Sequence, residues 1–150
     1  MKLLDDLIRI NTYEGDYTEM IKFLVEYLKS NTDCKIHIQH ISQNKANIIA
    51  IYGNPELLIN CHMDTVKPSN SWKMDPLSLS EKDDKFYGLG ACDTKGNIYM
   101  ILKAIAENKP TDLMVLFSID EESGIKTGVK YFLESNFKKN IKRAIVCEPT

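Results

Sequence analysis

Leu57-Leu58-Ile59-Asn60-Cys61 followed at once by His62-Met63-Asp64 is the stretch on which the reading of this chain turns. The short apolar run has the character of a strand buried on both faces, as in parallel sheets. An imidazole and, two residues on, a carboxylate stand at its end. The arrangement recurs twice downstream. Leu113-Met114-Val115-Leu116-Phe117-Ser118-Ile119 runs into Asp120-Glu121-Glu122, and Arg143-Ala144-Ile145-Val146-Cys147 runs into Glu148. Between the three strands, spacing predicts a helix over 94–108, with Ile98, Ile101, Leu102 and Ile105 on one face, and another over about 126–135. Strand, helix, strand, helix, strand is the pattern of parallel crossovers, so the expected class is α/β, a sheet with helices on its faces.

Upstream, Leu3, Leu4, Leu7 and Ile8 repeat at helical spacing, and after a break near Gly15 so do Met20, Ile21, Leu24, Val25 and Leu28. Asp16 and Thr18 both suit the cap of that second helix. Lys35 to Ile41 alternates like a half-exposed strand, and Ala46 to Tyr52 forms its partner at one edge of the sheet, closed by Gly53-Asn54-Pro55. A polar loop is expected from Lys67 to about Lys85. There are no repeats or low-complexity stretches. The chain stops at Thr150, just after a central strand, and the expectation is that residues 1–150 are a fragment of a longer protein.

The 150 residues, 43% hydrophobic and 27% charged, match an ordinary globular domain with one sizeable core, which excludes a disordered, fibrous or membrane-spanning chain. Nineteen basic against 21 acidic residues leave a formal charge of −2, so no basic field is present to gather nucleic-acid phosphates. The start, Met1-Lys2-Leu3-Leu4-Asp5-Asp6, lacks the apolar run of a secretory signal, and the expected location is the cytoplasm. Cys34, Cys61, Cys92 and Cys147 lie far apart with no Cys-x-x-Cys pair, so reduced thiols are expected.

In an open parallel sheet, ligands bind beyond the carboxyl ends of the strands. Here those ends carry His62, Glu121 with Glu122, and Glu148, while Asp93 opens a helix in the same sense. Carboxylates so gathered repel one another unless a cation neutralises them, and imidazole with carboxylates suits zinc or a similar divalent ion. Within His62-Met63-Asp64 the strand period of two puts His62 and Asp64 on one side, where Asp64 can accept the second imidazole N–H. Glu121 and Glu122 point apart, so one can bind metal while the other faces water. Each feature also has a plain structural reading: a satisfied histidine at a strand end, or acids at a solvated helix start. Their coincidence at three strand ends favours the functional one.

Gly88-Leu89-Gly90-Ala91-Cys92-Asp93 has the outline of a dinucleotide fingerprint, but Asp93 stands where the third glycine belongs and would repel a pyrophosphate. The glycines better serve a tight approach that aims Asp93 at the site. Cys61, Cys92 and Cys147 each precede a proposed ligand and are read as buried packing residues. His37 and His40 are read as surface residues of the edge strand.

In order and spacing, His62-Met63-Asp64-Thr65-Val66, Tyr87-Gly88-Leu89-Gly90-Ala91-Cys92-Asp93-Thr94-Lys95-Gly96, Asp120-Glu121-Glu122-Ser123-Gly124 and Cys147-Glu148-Pro149-Thr150 resemble the zinc-dependent deacylases and carboxypeptidases, a family that includes acetylornithine deacetylase, succinyl-diaminopimelate desuccinylase and aminoacylase. The resemblance covers essentially the whole chain, and Trp72 to Gly96 looks most like acetylornithine deacetylase, with Leu89 where relatives commonly carry arginine.

The resemblance implies a three-layer α/β sandwich with a mainly parallel central sheet, of which this is the incomplete N-terminal portion of the catalytic domain. It implies two zinc ions, with cobalt as a substitute. His62, Asp93 and Glu148 would hold the first, Asp93 would bridge to the second, and Glu122 would bind the second. Asp64 would orient His62, and Glu121 would be the general base. Three ligand carboxylates and an attacking hydroxide would balance two divalent ions. Lys67 stands where many relatives have proline, and Asn97 where a second glycine is frequent. The family's second metal takes a further histidine from a later part of a longer chain, beyond a lid domain that helps form a homodimer. The implied activity is removal of an acyl group from an N-acyl amino acid, N-acetylornithine first. A desuccinylase, aminoacylase or dipeptidase, a non-catalytic metal-binding module and a plain α/β domain remain the alternatives. The implied partner is a small molecule, with neither nucleic acid nor membrane.

Overall fold

The computed structural model describes residues 1–149, so Thr150, the end of the last motif, lies outside the described residues. Two helices, α1 (Lys2–Arg9) and α2 (Thr18–Asn31), precede a hairpin of β1 (Lys35–Ser42) and β2 (Lys45–Tyr52). Then come β3 (Leu57–His62), the short strands β4 (Ser80–Lys82) and β5 (Lys85–Tyr87), and α3 (Lys95–Asn108). The chain continues with β6 (Leu113–Ser118), α4 (Thr127–Glu134), a 3-10 turn at Asn136–Asn140 and β7 (Arg143–Val146).

The main sheet has the order β1-β2-β6-β3-β7. β3 pairs in parallel with β6 and β7, while β2 is antiparallel to both β1 and β6, so β2 alone opposes the common direction. Side chains of β6 sort by the strand period. Leu113, Val115 and Phe117 join the larger core with residues of α1, α2 and α3, and Met114 and Leu116 pack on the other face with Phe132 of α4. The result is three layers, as expected from the sequence.

The predicted elements match to within a residue or two, with four differences. The loop expected from Lys67 to Lys85 contains the β4–β5 ribbon, turned by Asp83 and Asp84 at φ 52° and 56°. That two-residue turn has the geometry that suits a hairpin's twist, achieved here without glycine. A 3-10 turn follows α4 where only a connection was expected. β7 is exposed along its length rather than buried, because it pairs on one side alone and no described element covers it. At α2, Asp16 Oδ1 accepts from the Thr18 amide at 2.9 Å, but the cap position itself is Tyr17. No helix among the described residues is long and apolar enough to cross a membrane.

Candidate metal centre

Parallel pairing puts the carboxyl ends of β3, β6 and β7 at one edge, and the turn before α3, which carries Asp93, joins them there. His62 ends β3 and is 2% exposed. Its Nε2 lies 3.0 Å from Asp93 Oδ1 and 3.6 Å from Glu148 Oε2. His62, Asp93 and Glu122 each present one donor atom within 4.8 Å of the others. Four proposed ligands from four segments thus face one volume, with the imidazole between carboxylates.

Asp64 lies behind His62, with a different contact from the expected one. His62 Nδ1 is 3.0 Å from the backbone carbonyl of Asp64, while the carboxylate Oδ1 stands 3.6 Å away. The carbonyl is thus the acceptor that sets the ring. The carboxylate instead accepts from the Glu122 amide through Oδ2 at 2.8 Å, and its buried Oδ1 has no hydrogen-bond partner. Asp64 therefore ties the β6 loop to the end of β3 and adds its charge beside the imidazole.

The charges act strongly at this separation. Burial works against protonation of His62, but the neighbouring Asp64, Glu148 and Asp93 outweigh it and raise the imidazole to about 9. Asp64 is pushed up by burial and pulled further down by His62 and the Glu122 amide, ending below the usual carboxylate range. Glu122 and Glu148 are raised, first by burial and then by repulsion from Asp93. Carboxyls that resist ionising beside one another, around an imidazole, form a donor set matched to a divalent cation.

Glu121 and Glu122 diverge at the start of a tight turn closed by the Gly124 amide on the Glu121 carbonyl at 3.0 Å. Glu122 faces the cluster, and Glu121 Oε1 lies 3.2 Å from Lys126 Nζ. The cysteines divide. Cys61 is buried against Thr94, with its thiol pushed up to about 12 chiefly by burial; Cys147 is half-buried, and Cys92 is exposed, contrary to the packing expected of it. His37 and His40 lie exposed on β1, as expected.

Residues flanking the proposed ligands hold the site together. Thr94 donates from Oγ1 to the His62 carbonyl at 2.7 Å, joining the start of α3 to β3. Lys95 is fully buried, and its Nζ donates to the Ile10 carbonyl at 2.6 Å. Its place three residues before Ile98, on the apolar face of α3, was the sequence signal for that burial. Asn97 donates from Nδ2 to the Cys147 carbonyl at 3.2 Å, one residue before Glu148. Gly90 has φ +79°, and a Cβ there would stand 2.8 Å from Thr65 Cγ2, so the predicted close approach is real.

A cleft of about 420 Å³ opens beside Glu122 and is lined also by Thr12, Tyr13, Tyr17, Lys45 and Lys67. A cleft of about 480 Å³ between α1 and α2 lies on Lys2, Asp6, Arg9 and Glu26 and shares none of the cluster residues.

The profile of peptidase family M20/M25/M40 matches residues 58–150. A probable succinyl-diaminopimelate desuccinylase of Staphylococcus aureus (strain MRSA252) is 28% identical over 159 aligned positions, covering 100% of this chain and 39% of that protein. An acetylornithine deacetylase of Aliivibrio fischeri (strain MJ11) is 34% identical over 149, covering 93% of this chain and 38% of that one. The chain thus spans about two fifths of the length of these relatives. Among solved structures, the M20 family metallo-carboxypeptidase Sso-CP2 from Sulfolobus solfataricus superposes with a TM-score of 0.76 at 22% identity, over 96% of this chain and 36% of that one.

Proposed function

The chain belongs to peptidase family M20/M25/M40, and from that premise we propose that it is the N-terminal part of the catalytic domain of a dimetal amidohydrolase. The reaction is removal of the acyl group from an N-acyl amino acid. N-acetylornithine is the first substrate to test, which would place the enzyme in arginine biosynthesis, in the cytoplasm and as a homodimer. The observation that carries this reading is the approach of His62, Asp93, Glu122 and Glu148 from four segments to one volume.

The donor set fits divalent ions, zinc foremost, with cobalt as a substitute: one imidazole nitrogen, three carboxylates, of which Glu122 and Glu148 are raised by burial and by the charge of Asp93, and a buried Asp64 carboxylate behind them. His62, Asp93 and Glu148 would hold one ion, and Asp93 with Glu122 the other. When bound, such ions polarise a carbonyl and bring the pKa of water down toward about 7.

The remaining chemistry belongs to side chains. The Asp64 carbonyl fixes the His62 ring so that Nε2 faces the cluster. Glu121 is free of the ligand set and takes the proton of the attacking water, then returns it to the departing amine nitrogen. Its ion pair with Lys126 gives the carboxylate a defined place at the rim.

A desuccinylase is the second reading, supported by the full-chain alignment with the Staphylococcus protein. The two separate when the full-length gene product is assayed against N-acetylornithine, N-succinyl-diaminopimelate, other N-acyl amino acids and dipeptides. Glu121→Gln in the same protein should lower turnover by about 100-fold or more while metal content stays unchanged. A parent-like rate in that variant removes Glu121 from the mechanism.

A further inference from the structure

The acidic turn after β6 carries both the proposed base and a proposed ligand, and its first residue is held by groups from the far side of the chain. Asp120 is 3% exposed and sits at φ +60°, a left-handed conformation that costs a non-glycine residue energy unless its surroundings hold it. Two donors converge on its Oδ1: Lys45 Nζ at 2.7 Å, from the start of β2, and the Tyr17 hydroxyl at 3.0 Å, from the residue capping α2. The Lys45 ammonium also stands 5.7 Å from the centroid of the Tyr17 ring. The Asp120 carbonyl accepts from the Lys126 amide at 2.9 Å and from Ser123 Oγ at 3.0 Å, which closes the turn on itself.

A carboxylate buried to 3% exposure with a charged donor and a hydroxyl donor is a strong anchor, because losing either leaves it underpaired. Tyr17 is suited to its part. Burial, with the charges of Asp64 and Asp120, pushes its hydroxyl well above the ordinary phenol range, so it remains a donor. The opposite side of the same turn is fixed by the Glu122 amide on Asp64. Two independent clamps therefore bracket Glu121 and Glu122, one from Asp64 on the β3 side and one from Lys45 and Tyr17 on the β2 side.

We infer that Lys45 and Tyr17 are positioning residues which, through Asp120, hold Glu121 and Glu122 in place for proton transfer and for binding the second ion. The inference rests on the roles assigned to Glu121 and Glu122 above. A shift of about 1 Å in such groups is enough to cost about 100-fold in rate, and outer supports of metal ligands are worth about 10–100-fold in affinity.

The test uses the full-length gene product with cobalt as the probe, read by titration of both ions and by kcat and KM. Lys45→Met should lower kcat by at least about tenfold with KM within about twofold, and weaken the second ion while leaving the first unchanged. Lys45→Arg, which keeps the charge and a donor, should restore most of both. Tyr17→Phe removes one hydrogen bond and no charge, so it should show the same pattern at smaller amplitude, and it stands in if Lys45→Met does not fold. A folded Lys45→Met, or in its place Tyr17→Phe, with parent kcat and parent affinity for both ions overturns the inference. A parent protein that holds no cobalt, or Glu121→Gln with parent turnover, overturns the reading beneath it and the inference with it.

Discussion

His62 Nε2 and Asp93 Oδ1 stand 3.0 Å apart across a sequence separation of 31. β3 delivers one and the turn before α3 the other, and Thr94 locks the two segments through the His62 carbonyl. Without an intervening ion the pair is a charged hydrogen bond; in the proposed centre both atoms would be ligands.

That relationship predicts the metal behaviour of this chain. After dialysis it should hold about one zinc ion tightly, since on the proposed reading His62, Asp93 and Glu148 would complete one site while the second would still lack a histidine among the described residues. His62→Ala or Asp93→Asn should lower zinc affinity by more than about 100-fold in chelator competition. At zinc 100-fold above the dissociation constant the parent should gain about 2.7 kcal/mol, seen as a raised Tm that a chelator abolishes. Parent affinity in both variants would dissolve the proposed centre, and two tightly held ions would contradict the stoichiometry.

Lys95 predicts a pH dependence. Burial lowers its ammonium from 10.5 to about 8, while the unfolded chain keeps the proton until the ordinary value. Between the two, the unfolded state binds more protons, so stability rises with pH across that window and is lost as pH falls through the folded value. The rise should amount to roughly 3 kcal/mol, on the scale of 1.36 kcal/mol per unit. Lys95→Met should lack it. Denaturant unfolding of both proteins between about pH 7 and about pH 11 isolates the effect as a difference curve, free of the opposing contribution of buried Cys61, Tyr17 and Tyr52. A flat difference would mean that Lys95 keeps its proton inside the fold as readily as outside.

Gly90 and Gly15 make a controlled pair. Both have positive φ, +79° and +78°, but a Cβ at Gly90 presses on Thr65 and Lys95 whereas one at Gly15 meets only the Lys45 side chain at 3.8 Å. Backbone strain of about 1–3 kcal/mol is common to both alanine variants. The crowding is not, so Gly90→Ala should lower Tm further than Gly15→Ala, at about 2–4 °C per kcal/mol. Equal losses would show that the contact with Thr65 yields freely.

The sheet and its functional edge were legible because three apolar runs ended in acids or imidazole, a pattern that parallel topology converts into proximity. That pattern marked His62, the Glu121–Glu122 pair and Glu148; the part of Asp93, and the choice of Glu122 over Glu121 as ligand, came from the resemblance. The clamps were not legible. Lys45 and Tyr17 precede the acidic turn by many residues, and nothing local marks a lysine at the start of β2 as the partner of Asp120. The β4–β5 ribbon was hidden because Asp83 and Asp84 adopt a conformation the sequence usually announces with glycine. Asp64 showed the limit of periodicity: it placed the residue beside His62 but could not say that carbonyl rather than carboxylate would make the contact.

One consequence follows from the sheet order. Among the described residues β7 pairs with β3 alone, and beyond it the Cys147 amide donates to the Asn60 carbonyl. A strand so placed is the first to peel in local opening. Glu148 follows β7, so in this 150-residue chain the release of an ion from the proposed centre should track fraying at that border rather than melting of the interior.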